Sequence, residues 1–188
     1  MVMFRQCWFV GLVVFVCCWP GPAAHPQTRE RDPLNDKEID EMRDTADFPD
    51  KRLELMIKFA RARMTEIDQL RANAKGAKDR PRQIHDLLQD FTTLVDEIDD
   101  NIDMYASHKT DMRKGLKLLI EADSEWSLKL RALKEQSPPE ELEQYSFLLA
   151  NTVDAVNDSA KGARETLQEQ VELAKDKKLN KVYTERPD

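Results

Sequence analysis

The sequence predicts an all-α protein: an antiparallel up-down-up-down four-helix bundle with coiled-coil-like heptads and a short extra helix on its N-terminal side. Three observations predict it. Apolar residues recur every three or four positions from about residue 50 to 177, and nowhere do they alternate in the two-residue rhythm of a strand. Glycine is scarce, at 5 of 188 residues, and the strongest breakers, Gly76 with Pro81 and Ser137-Pro138-Pro139, fall between the periodic stretches. Charged residues form 35% of the chain with both signs interleaved, which suits the solvated faces of helices.

Asn35 or Asp36 can cap a short acidic helix over about 36–45, with Ile39 and Met42 as its apolar contacts. Pro49 suits the first turn of the next helix, with Asp47 as a possible cap. That helix, about 50–75, carries Leu53, Ile57, Ala60, Met64, Ile67, Leu70 and Ala74 on one stripe. Gly76 ends it and Pro81 starts its successor. Over about 82–106, Ile84, Leu88, Phe91, Val95, Ile98, Ile102 and Tyr105 form a heptad seam. Met112, Leu116, Leu119, Ala122, Trp126, Leu130 and Leu133 carry a third stripe over about 110–135.

No Gly or Pro separates the second stripe from the third, so one continuous helix across 82–135 competes with a turn at Ser107–Thr110. The turn is preferred. Thr110 can cap the following helix, and Lys109 would otherwise place a charge in the seam. A long-helix coiled-coil hairpin is the rival architecture. Pro139 with Glu140-Glu141 makes a favourable first turn for the longest helix, about 139–177, striped by Leu142, Tyr145, Leu149, Val153, Val156, Ala160, Ala163, Leu167, Val171 and Ala174. Short links make sequential neighbours antiparallel, and the last helix is expected to overhang the bundle by about two turns.

Ahead of the helices, Met1–Ala24 reads as a secretory signal peptide. Arg5 supplies the charged start, Cys7–Trp19 an unbroken apolar run, and Pro20-Gly21-Pro22-Ala23-Ala24 the breakers and small residues of a cleavage region. The run is shorter than the ~20 residues that span a bilayer, and no second such stretch follows, so no transmembrane segment is expected after the leader. Cleavage near Ala24 would yield a secreted or periplasmic protein. Residues 25–35 would be a disordered tether, 36–48 the short acidic helix, 49–178 the bundle and 179–188 a polar tail. Cys7, Cys17 and Cys18 all lie in the leader, so the trimmed chain would hold no disulfide, cysteine metal site or thiol nucleophile. Val14-Phe15-Val16 lacks the small residue that precedes a lipidated cysteine. Loss of Arg5 with the leader moves the net charge from −7 to −8, which argues against nucleic acid as a partner.

The residues for bundle chemistry are largely missing. A di-iron bundle needs Glu-x-x-His pairs, and the residues three before His25, His85 and His108 are Pro22, Arg82 and Tyr105. Haem would need axial ligands facing each other in the core, whereas both later histidines fall off the stripes and Met56, Met64, Met104 and Met112 read as filler. There is no Gly-x-Ser-x-Gly, phosphate loop or His-Glu-x-x-His. Asn157-Asp158-Ser159 fits a glycosylation acceptor but falls mid-helix. No catalytic residue, cofactor or metal is therefore expected.

Two charged patches remain as candidate interaction sites. Asp96, Asp99, Asp100 and Asp103 share a helix face, although no glycine offers the sharp turn of a calcium loop. Lys75, Lys78, Arg80 and Arg82 cluster at one end, where the up-down arrangement would add Lys129, Arg131 and Lys134. The expected function is that of an exported, non-catalytic interaction or structural module. Its partner would be another envelope or extracellular protein, or a second copy. The alternatives are a small-ligand or sensory bundle with a pocket near Trp126, Tyr105 and Tyr145, and reversible lipid binding, which the acidic surface disfavours.

Overall fold

A computed structural model describes residues 32–45, 48–73 and 78–184, with side chains through residue 176. These residues belong to one unit of the chain, Arg31–Asp188. The expected leader at 1–24, residues 25–31 of the expected tether, Asp47, and Lys75 with Gly76 lie outside the described residues. All regular structure among the described residues is helical: α1 (Asp36–Arg43), α2 (Pro49–Ala72), α3 (Arg80–Ser107), α4 (Arg113–Gln136), α5 (Pro139–Leu142) and α6 (Ser146–Thr184).

The ends of these helices follow from local chemistry. α1 opens on a reciprocal cap. The Asn35 side chain accepts the Glu38 N–H at 3.1 Å, and the Glu38 carboxylate accepts the Asn35 N–H at 2.9 Å. Pro49 and Pro81 occupy first turns, where a missing N–H costs nothing. α3 and α4 are two helices. Lys109 takes the left-handed backbone at φ 55°, and the Thr110 N–H donates to the Tyr105 carbonyl at 3.0 Å, closing α3 in the manner of a helix C-cap. Thr110 does not cap α4. Asp111 instead accepts the Arg113 N–H at 3.2 Å, and Asp50 of α2 accepts the Gly115 N–H at 2.8 Å, setting two carboxylates at the positive end of α4.

The last helix departs from expectation at both ends. It does not run unbroken from residue 139. α5 stops at Leu142, and a turn through residues 143–145 precedes Ser146. This turn buries the Tyr145 ring while its hydroxyl donates to Ser137 Oγ at 2.8 Å, so the ring is packed and its polar tip is satisfied. At the far end α6 continues through residues expected to be a polar tail. No Gly or Pro occurs between Gly162 and Pro187, and the residue before a proline resists the helical conformation. The Gln170 side chain ties α6 to the α3–α4 link, accepting the Met112 N–H at 3.1 Å and donating to the Thr110 carbonyl at 2.9 Å. Beyond it α6 extends to Thr184, ~20 Å further at 1.5 Å per residue.

α2 packs against α3 and α4, and α6 packs against the same two helices. Polar pairs give the directions. Arg52 meets Asn101 at 3.0 Å and Arg63 approaches Asp90 at 4.0 Å, so α2 and α3 run oppositely. Met112 with Gln170 and Ser137 with Tyr145 show the same for α4 and the α5–α6 segment. Arg61 meets Glu125 at 3.1 Å, Asp68 meets Lys129 at 2.9 Å and Arg71 meets Gln136 at 3.0 Å, so α2 and α4 run the same way. Thr92 with Thr152 and Asp99 with Ser159, both at 2.8 Å, make α3 and α6 parallel. Two antiparallel hairpins, α2–α3 and α4–α6, face each other with matching ends, and consecutive α3 and α4 are not packed along their lengths. They meet in the core, where Phe91 and Trp126 stand edge to face at 5.1 Å and 87°.

The core is built from the stripes. Leu53, Ile57 and Met64 of α2, Ile84, Leu88, Val95 and Ile98 of α3, Leu116, Leu119 and Leu130 of α4, and Val156 of α6 are fully or almost fully buried. Two glycines test how tightly it is closed. A Cβ on Gly115 would lie 2.7 Å from Leu53 Cδ1 and 3.1 Å from Leu53 Cβ, whereas Gly162 meets nothing within 4 Å. Both sit inside helices, so alanine offers each ~1 kcal/mol of helix propensity. At Gly115 the clash costs ~1–3 kcal/mol and wins. Gly115→Ala is thus expected to lower the thermal midpoint and Gly162→Ala to raise it. Calorimetry that ranks the two variants in the opposite order would contradict this packing of α4 on α2.

Candidate functional site

The acidic patch of α3 is divided by its helix geometry. Asp96, Asp100 and Asp103 are exposed. Asp99 turns inward toward α6 and accepts a hydrogen bond from Ser159 Oγ at 2.8 Å. Burial, then the nearby Asp100, raises Asp96 above the usual carboxylate range. Asp99 rises further, to about 6, because burial and the charges of Asp96, Asp103 and Asp100 outweigh the Ser159 hydrogen bond. Among the described residues no group of three or more His, Cys, Asp or Glu is placed to hold a metal ion.

Opposite Asp99, on α4, stands a carboxyl group that the sequence stripes did not single out. Asp123 is completely buried, and neither of its oxygens has a hydrogen-bond partner. One turn along the same helix, Trp126 Nε1 is also buried and unpartnered. Burial pushes Asp123 up to about 7, the charge of Asp99 adds to the rise, and Arg164 of α6 opposes it. Asp99 of α3, Asp123 of α4 and Ser159 of α6 therefore form a polar island within an apolar interior, with exposed Arg164 of α6 acting on it from outside. An uncharged Asp123 is the form such a site favours, because an ionised carboxylate without partners is costly to bury.

The basic cluster does not survive as a unit. Lys75 lies outside the described residues, while Lys78 and Arg82 are exposed. Arg80 is taken up by Glu141, which accepts a bidentate hydrogen bond from its guanidinium, and by the Asn73 carbonyl at 3.3 Å. Of the residues expected to join it, Lys129 pairs with Asp68 of α2 and approaches Glu125 at 3.7 Å. Arg131 and Lys134 turn elsewhere, into a groove between α4 and α6.

The aromatic residues considered as a ligand shelf are packed. Trp126 is fully buried against Phe91, Tyr145 is bound to Ser137, and Tyr105 is 8% exposed. Met56, Met64 and Met112 fill the core, and Met104 is exposed. The His108 ring lies 2.7 Å from the Met104 carbonyl at the end of α3, and His85 stands 3.6 Å from Asp86.

A groove of about 730 Å³ lies between α4 and α6. Leu130, Leu142, Leu149 and Val153 form its apolar floor, Arg131, Lys134 and Glu135 stand on the α4 wall, and Asp154 stands on the α6 wall. Next to groove residues Ser127 and Ser146 in the chain come the most exposed large apolar side chains among the described residues, Leu128 at 66% and Phe147 at 79%. No signal in the sequence singled out this face, because Leu128 and Phe147 fall between stripe positions. No described helix is long and apolar enough to cross a membrane. No family model, curated protein or solved structure matches the chain.

Proposed function

We propose that the chain is an exported, non-catalytic four-helix bundle, with α2, α3, α4 and α6 as its helices, that acts as an interaction module in the cell envelope or extracellular space. Up-down-up-down describes the directions of its helices. The link at residues 108–112 crosses the bundle diagonally, which is why two neighbouring pairs run parallel. One observation carries the interaction reading: the α4–α6 groove, with an apolar floor, charged walls and two large apolar side chains left in solvent beside it. Scattered exposed leucines need no explanation, but apolar residues gathered about a groove and rimmed by charge mark contact surfaces. The packed aromatic residues support this reading over a ligand shelf.

Site-directed photo-crosslinking in the native host tests it. A photoreactive residue at position 128 or 147 is expected to capture a protein partner, and one at Lys58 on α2 to capture none. Crosslinks confined to position 100 would move the contact surface to the acidic face of α3, and no crosslink at any position would end the interaction reading.

A further inference from the structure

Resting on that reading, we propose that the occupant of the α4–α6 face is a second copy of this chain. The argument is charge complementarity. Arg131, Lys134 and Asp154 are exposed, and none of them makes an ion pair or hydrogen bond among the described residues. Arg131 and Lys134 stand on α4 together with one acid, Glu135, which leaves that wall net positive, and Asp154 stands on α6, which leaves the other wall negative. A two-fold axis parallel to the helices and lying over the groove sets α4 of each copy upon α6 of the other. The positive wall then meets the negative wall twice, once on each side of the axis. α4 and α6 run oppositely, with Met112 level with Gln170 and Ser137 level with Tyr145. That registry places Arg131 within about one helical turn of the level of Asp154, close enough for a long guanidinium to reach the carboxylate of the facing copy. The same rotation carries Leu128 and Phe147, the two most exposed large apolar side chains among the described residues, toward the contact and out of water. An external partner would need its own matching pattern, whereas this face already contains both halves of one.

Native mass spectrometry and sedimentation equilibrium on the full chain test the inference through a charge swap. The wild type is expected to form dimers in a concentration-dependent way. Arg131→Glu alone and Asp154→Arg alone are each expected to weaken the dimer roughly ten-fold or more, since each sets like charges face to face. Arg131→Glu combined with Asp154→Arg in one chain restores opposite charges across the axis and is expected to restore the dimer. Phe147→Asp is expected to abolish it. Phe48→Ser, a change at another exposed aromatic ring that lies against Lys51, is expected to leave it intact. Circular dichroism confirms that each variant remains helical. A wild type that stays monomeric, or a double variant no better than its parents, overturns self-association. Crosslinks from position 147 to a different chain in that case would keep the interaction reading, and their absence would remove both.

Discussion

Replacing Asp123 by Asn is expected to stabilise the protein by on the order of 4 kcal/mol at pH 8 and by only about 2 kcal/mol at pH 5. The sign follows from where the proton binds. In the unfolded chain Asp123 titrates at its ordinary value of 3.8, whereas in the folded chain it is pushed up to about 7, by burial first and by the charge of Asp99 second. Between these values the folded state holds a proton that the unfolded state has lost, so stability falls as pH rises. The penalty is absent below the unfolded pKa and complete above the folded one. Asp99, pushed up to about 6, acts in the same sense over a slightly lower range. Glu38 acts oppositely. Burial alone would raise it, but the hydrogen bonds from Arg63 and the Asn35 N–H outweigh burial and lower it, so its contribution disappears as the pH falls through its depressed folded value. The interval from pH 5 to 8 therefore isolates the buried acids. Urea unfolding of the wild type and of Asp123→Asn at both ends of it reads the effect. In a domain of this size the ~3 kcal/mol by which the effect differs between the two pH values corresponds to roughly 10 °C in Tm. A wild type equally stable at pH 5 and pH 8 would show that Asp123 ionises freely.

The helices were legible in the sequence because each buries one stripe, and a stripe of spacing three and four has one geometric reading. Leu53, Ile57, Ala60, Met64 and Ile67 on α2, and Ile84 to Ile102 on α3, are buried as their spacing requires. The charged residues in those rows were harder to read. Asp123 lies four after Leu119 and three before Trp126, and Arg63 lies three after Ala60 and four before Ile67. Both occupy core positions by the same count that identified the leucines. A charged residue in such a position reads as surface, because burying charge is usually prohibitive. The count fits a core position, and the residue type reveals a group that burial must perturb. Asp99, four after Val95 and three before Ile102, carried the same signal inside an acidic run that otherwise faces water.

Helix pairing was not legible, because periodicity shows which face is buried but not which neighbour buries it. A five-residue link can return beside the helix it leaves or cross to the far corner. That choice depends on how the two hairpins match: Asp50 on the first turn of α4, Gly115 allowing Leu53 to approach, and Lys129 meeting Asp68. The break at residues 143–145 was equally hidden, since Tyr145 sits on the stripe whether or not the helix is continuous.

Arg63→Met is expected to cost ~3–5 kcal/mol and to release α1 from α2. The Arg63 guanidinium, 7% exposed, donates to both oxygens of Glu38 at 3.0 and 2.6 Å and to the Pro33 carbonyl at 2.6 Å, with Asp90 of α3 at 4.0 Å from its Nε. One side chain of α2 thus neutralises the buried acid of α1 and holds the backbone ahead of it. Met42 is the hydrophobic residue that α1 itself commits to the core, so α1 has little apolar burial with which to stay docked once the ion pair is gone. Methionine preserves much of the packing volume of the arginine stem but strands Glu38 in a buried site, and an uncompensated buried charge is the expensive outcome of breaking such a pair. Asn35→Ala removes only the side-chain half of the cap and is expected to cost ~1 kcal/mol. Hydrogen exchange separates the two effects. In Arg63→Met the amides of α1 should lose protection while those of α3 and α4 keep most of theirs; in Asn35→Ala the loss should be confined to the first turn of α1. Unchanged α1 protection in Arg63→Met would mean that the helix is held by its apolar contacts and that the buried ion pair contributes nothing to its docking.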